Sequence, residues 1–142
     1  MNYPFTFNAA VLIKNRENLQ IQEITFDGPL LTGQILVKLF YSGICGKQIE
    51  EIDGLGGHDP FLPHLLGHEG TGVVLDVGPG VKKVTPGDTV VMHWMKGSGI
   101  HSDTPYYKSF DKRINAGWVT TFNSHAVISE NRLTVIPDSL DS

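Results

Sequence analysis

Gly33-Gln-Ile-Leu-Val-Lys-Leu-Phe-Tyr-Ser-Gly-Ile-Cys-Gly46 is the stretch whose reading decides the fold. Ile35 to Tyr41 is apolar at nearly every position, which predicts a well-buried strand and not a half-solvated one. The small residues after it, Ser42 and Gly43, turn a corner that carries Cys45, the only cysteine of the 142 residues. A strand that ends in a glycine-lined corner is a place where side chains can converge and a ligand can approach.

Outward from this stretch, extended segments dominate. Upstream, Ala10-Val-Leu-Ile13 and Leu19-Gln-Ile-Gln-Glu-Ile24 flank the polar turn Asn15-Arg-Glu-Asn18, which predicts an antiparallel pair. Downstream, Lys47 to Ile52 suits one short helical turn. Asp53 to Pro63, with three glycines and two prolines, reads as loop. Gly70 to Val77 and Thr89 to Met92 read as strands, delivered by the turns Val77-Gly-Pro-Gly-Val81 and Pro86-Gly-Asp88. Lys96 to Gly117 is polar, aromatic and irregular, a long surface excursion. Trp118 to Phe122, Ser124 to Ile128 and Leu133 to Ile136 read as closing strands, and Pro137 to Ser142 as a polar domain edge. Many short strands between Gly/Pro turns predict a mainly β fold, a small barrel or a sandwich.

Composition narrows the function. Hydrophobic residues make up 40% of the chain and charged residues 18%. That is enough apolar content for a core and too little charge for disorder. A net charge of −4 argues against nucleic-acid or anionic-membrane binding. No secretory signal or membrane-length apolar run is present, and a lone cysteine forms no internal disulfide, so a cytoplasmic setting is expected. In such a setting the thiol is either small core packing or a working thiolate.

Zinc takes thiolate, imidazole and carboxylate ligands, and a catalytic site keeps one position open. Cys45, His68 and Glu69 supply one donor of each kind, in glycine-lined corners at strand ends. By residue type alone, buried packing for the cysteine and a hydrogen-bonded histidine are the commoner roles.

The surrounding pattern is more specific. Gly67-His-Glu69, followed by Gly72, Gly78 and Val81, resembles the zinc-site signature of the medium-chain zinc-dependent alcohol dehydrogenases. Tyr41-Ser-Gly-Ile-Cys-Gly46 is similar to that family's first-ligand segment. Pro86-Gly-Asp-Thr-Val-Val91 and Glu130-Asn-Arg-Leu-Thr-Val-Ile-Pro137 resemble its later landmarks, in the family's order. The resemblance runs from about Ala10 to the last residue. It implies a GroES-like, partly open β-barrel with short helices over residues 1–142, ending before a Rossmann domain. It implies Cys45 and His68 as zinc ligands, with Glu69 as a nearby carboxylate that ligates or exchanges with water. The parent would be an alcohol or carbonyl oxidoreductase using zinc and NAD or NADP. It would act on a small-molecule alcohol, carbonyl or sugar-derived substrate and form a homo-oligomer.

The nucleotide-binding half is expected to lie outside this chain, since Gly70-Thr-Gly72 lacks the third glycine of a dinucleotide fingerprint. The isolated domain is therefore expected to be inactive, with weak or partial zinc occupancy. The cysteine-rich structural-zinc lobe of many relatives has no counterpart between Lys96 and Gly117; His101 and Asp103 there read as loop residues. Lys47 occupies the usual proton-relay position, where a hydroxyl is customary, and an ammonium is a poor relay. No catalytic residue is secure for that reason. A solvated role for Lys47 is the blander reading, and contact with an anionic substrate the sharper one. Gln48 stands where the family has Asp, which removes a charge beside the metal. His93 and Trp94 border the expected pocket, whereas His58, His64 and His125 have no argued role. Two other readings compete: a dehydrogenase-like domain that has lost catalysis, and a non-enzymatic GroES-like oligomerising module.

Overall fold

A computed structural model describes residues 1–137 and 139–140 of the chain. Ten strands and one α-helix follow in order: β1 (Phe5–Leu12), β2 (Gln20–Phe26), β3 (Gln34–Ser42), α1 (Gly46–Asp53), β4 (His64–Leu65), β5 (Glu69–Val77), β6 (Thr89–His93), β7 (Tyr106–Ser109), β8 (Lys112–Asn115), β9 (His125–Ser129) and β10 (Leu133–Val135). Strands β1, β2, β7, β8 and β4 close into a barrel, and β10, β6, β5, β3 and β9 form a five-stranded sheet beside it. The mainly β, barrel-like expectation holds. No helix among the described residues is long and apolar enough to cross a membrane.

Strand β3 divides two hydrophobic cores, which is why its sequence does not alternate. Leu36 packs into the barrel core with Phe7, Ile24, Tyr107 and Ile114. Its neighbours Ile35 and Val37 point the other way, into a core with Val74, Val90, Met92 and Leu133. All three are fully buried. β9 behaves likewise, with Val127 in the first core and Ala126 and Ile128 in the second. Each such side chain removed from water contributes about 1.5–3 kcal/mol, so the two-faced burial fixes the register of β3 strongly.

Several expectations need correction. Lys96 to Gly117 is not wholly irregular: it contains the hairpin β7–β8, which completes the barrel. Tyr107 is fully buried there, and its hydroxyl accepts the Val127 N–H at 2.9 Å. Trp118 to Phe122 is not a ladder strand. The N–H groups of Thr121 and Phe122 both donate to the single Leu66 carbonyl, at 3.0 and 3.1 Å, so the segment crosses the chain before His68 without running alongside it. The loop expected from Asp53 to Pro63 holds apart from Asp53, which closes the helix, and a two-residue strand that the sequence did not signal, β4, follows it and pairs with β1 and β8. The helix after Cys45 is also longer than one turn, spanning Gly46–Asp53. The domain edge expected over residues 137–142 falls partly outside the described residues.

Glu130 ties the loops at the sheet's far end. Its carboxylate accepts backbone N–H groups of Lys82 (2.7 Å), Lys83 (2.9 Å) and Ile100 (2.7 Å). Burial alone would raise its pKa, but these N–H groups and the Lys83 charge outweigh burial and hold it below the usual 4.5. The sign follows: a depressed folded-state value adds stability that is complete above pH 4.5 and is lost as pH falls through the folded value. Glu130→Gln is expected to destabilise the chain by about 1–3 kcal/mol at neutral pH. The gap to wild type should close in urea melts taken below the ordinary glutamate range.

Candidate metal centre

The antiparallel pairing of β3 with β5 builds the site. Ser42 at the end of β3 lies opposite Gly70 near the start of β5, so Cys45 comes beside His68 and Glu69. A register shift between Leu39 and Tyr41 leaves Phe40 half exposed and bends the strand just before the corner. Gly43 leaves room for Glu69 in its present rotamer: its N–H donates to the Glu69 carbonyl at 3.1 Å, and a Cβ at Gly43 would push the Glu69 carboxylate aside. Gly67 adopts φ +94°, and a side chain there would strike Thr121. That conformation lets the chain turn from the Leu66 crossing into His68.

Cys45 caps α1. Its backbone is extended, and its Sγ accepts the Lys47 N–H at 3.3 Å. The buried Gln48 reaches back so that its Oε1 accepts the Cys45 N–H at 2.9 Å, the reciprocal half of a capping box. The same amide meets His68 through its Nε2 group, against His68 Nδ1. His68 Nε2 in turn lies 3.8 Å from Cys45 Sγ and 4.0 Å from Glu69 Oε2. A thiol sulfur and a carboxylate oxygen therefore flank one imidazole nitrogen, three donors of the kinds zinc prefers in all. They are not gathered into a cage: among the described residues no three His, Cys, Asp or Glu side chains stand close enough together for that. The donor set fits zinc in kind, and Cys45 with His68 is its tightest pair.

Of the three candidate ligands, His68 lines a cleft of about 980 Å³, together with Lys47, Gln48, Trp94, Trp118 and Arg113. Trp94 is mostly exposed and faces this cleft, so it is not core packing. His93 does not line it; the ring bonds Met95 O and Thr134 Oγ1 instead. Lys47 is exposed and lies 3.8 Å from Glu50, which matches the solvated reading. His101 sits against the Trp118 ring and bonds Asn131, whereas Asp103 contributes only its carbonyl, to Gln34. Among the described residues neither joins a group of three metal-donor side chains.

His64 and Asp59 have a place in the cleft wall that sequence reasoning missed. His64 Nδ1 lies 2.8 Å from Leu65 O, and its Nε2 lies 2.8 Å from Asp59 Oδ2. Burial would raise the Asp59 pKa, but the Phe61 N–H and His64 outweigh it and hold the carboxyl below its usual range. The pair fastens the glycine-rich loop to β4 at the cleft edge. An Asp five residues before a His is too common in loops to have signalled this.

The chain resembles known proteins along most of its length. The family profile of the alcohol dehydrogenase GroES-like domain matches residues 32–138. An alcohol dehydrogenase of Moraxella sp. (strain TAE123) is 32% identical over 139 residues, covering 94% of this chain and 41% of that protein. An alcohol dehydrogenase of Geobacillus stearothermophilus is 34% identical, covering 93% and 40%. Among solved structures, an alcohol dehydrogenase zinc-binding domain protein from Burkholderia ambifaria superposes with a TM-score of 0.80 at 22% identity, over 94% of this chain and 42% of that one. At that identity the likeness speaks for the fold alone. The chain spans about two fifths of the length of these relatives.

Gly43→Ala is expected to turn the Glu69 carboxylate away from His68 while the chain stays folded. A crystal structure of the variant with Glu69 still 4.0 Å from His68 Nε2 would contradict the crowding argument.

Proposed function

Because the chain belongs to the alcohol dehydrogenase GroES-like domain family, we propose that it is the zinc-binding catalytic domain of an NAD(P)-dependent alcohol or carbonyl oxidoreductase. The observation that carries this reading is the approach of Cys45 Sγ and Glu69 Oε2 to Nε2 of His68, a residue that itself lines the cleft. Cys45 and His68 would hold the ion, and Glu69 would ligate it or give way to water. When bound, zinc supplies a Lewis acid for the substrate oxygen. NAD or NADP would be held by a further domain of a longer protein, which accords with coverage of about two fifths of the relatives.

The chain's own residues set the surroundings of the reaction. Trp94 and Trp118 offer flat apolar walls that orient a small substrate and exclude water. Lys47 stands where a relay hydroxyl is customary and donates without accepting, so a substrate proton must leave by another path. Lys47 and Arg113 both line the cleft and suit an anionic group on a sugar-derived substrate, with Glu51 and Asp59 limiting the net positive field. Family membership favours this reading over an oligomerising module.

Calorimetric titration of the 142-residue chain with zinc tests the reading. One equivalent should bind weakly, and Cys45→Ala and His68→Ala should each abolish binding. The chain alone should give no NAD(P)H-linked turnover. Zinc binding that survives both substitutions would exclude the assignment.

A further inference from the structure

We propose that Gln48 is a positioning residue that sets the tautomer of His68 against the metal and so gates loading of the site. The proposal rests on the zinc reading above and concerns a residue that acts through the His68 ring.

The Gln48 amide has two ends and two neighbours, and hydrogen-bond chemistry decides which end meets which. The Cys45 N–H can only donate, so it requires the amide oxygen, and Oε1 is found there at 2.9 Å. That leaves the NH₂ group, which can only donate, facing His68 Nδ1. His68 Nδ1 must therefore accept. A neutral imidazole that accepts at Nδ1 carries its proton on Nε2. Nε2 is the nitrogen that faces Cys45 Sγ and Glu69. The proton sits where the ion's lone pair is needed.

In this arrangement Nε2–H points toward sulfur and carboxylate in place of a metal. Ligation through Nε2 requires the proton to move to Nδ1, where it needs an acceptor. Gln48 provides one only if its amide turns over, and the turned amide then presents NH₂ to the Cys45 N–H. Two donors would face each other at the helix cap. Gln48 is buried, so water does not readily relieve that clash. Metal loading and the α1 cap are thus coupled through one amide. A carboxylate of the same length has no such conflict, since one oxygen accepts from Cys45 N–H and the other from Nδ1–H.

The test compares wild type with Gln48→Glu and Gln48→Met, using ¹⁵N-resolved NMR of the metal-free chain at alkaline pH, where the ring is neutral, and zinc titration. Gln48→Met keeps the volume and removes both contacts. Wild-type His68 should be the Nε2–H form, Gln48→Glu the Nδ1–H form, and Gln48→Met should lose the strong Nε2–H bias. Zinc affinity should rise about 10–100-fold in Gln48→Glu, the scale of second-shell effects. On zinc loading, the Cys45 amide should exchange faster in wild type and not in Gln48→Glu. An Nδ1–H tautomer in the metal-free wild type, or one unchanged by Gln48→Glu, would overturn the proposal even if zinc binds. The expected tautomers without zinc binding in any form would support the Gln48 role and reject the zinc reading instead.

Discussion

Burial of β3 on both faces is the constraint on which the rest depends. Ile35 and Val37 enter one core and Leu36 the other, so the strand cannot slip by one residue without sending each to the wrong side. With β3 fixed, its two ladders fix β9 and β5, and β5 fixes β6. The corner after Ser42 is then set opposite the start of β5. Cys45 and His68, 23 residues apart, meet because a hydrophobic register brings them together. The functional corner inherits its position from the core.

The corner itself follows a different logic, that of crowding and hydrogen-bond supply. Gly43 clears space for the Glu69 carboxylate, and Gly67 takes a left-handed turn against Thr121. Ser42 and Thr121 join their hydroxyls at 2.8 Å beneath it. Gln48 binds the helix cap to the imidazole with a single amide. The group that organises the corner thereby also constrains its chemistry. The candidate donors stand near one another without forming a cage, and one amide ties the helix cap to the imidazole among them.

Much of this was legible in the sequence, for identifiable reasons. β3 was plain because two-faced burial leaves a nearly unbroken apolar run. Cys45 and the His68–Glu69 pair stood out because glycines surround them and the spacing of later landmarks matches the family. The hairpin β7–β8 was hidden because each four-residue strand buries one large apolar side chain, Tyr107 and Ile114, among lysines, serine and asparagine. Trp118 to Phe122 carries strand-like β-branched residues, yet its backbone–backbone bonds lie at its end, from the Thr121 and Phe122 N–H groups to Leu66 O and from Ala10 N–H to Phe122 O, which makes no ladder. β4 has only two residues and follows a proline, below any periodic signal. The Gln48–His68 contact spans 20 residues and two elements, so only tertiary structure could reveal it.

The central claim is that Cys45 and His68 share one ion at the corner built by β3 and β5. X-ray absorption at the zinc edge, on the 142-residue chain loaded with one equivalent, tests it most directly. The account predicts one sulfur scatterer at about 2.3 Å together with nitrogen and oxygen at about 2.0–2.2 Å, including an imidazole signature. A shell of oxygen and nitrogen alone, with no sulfur, would contradict it.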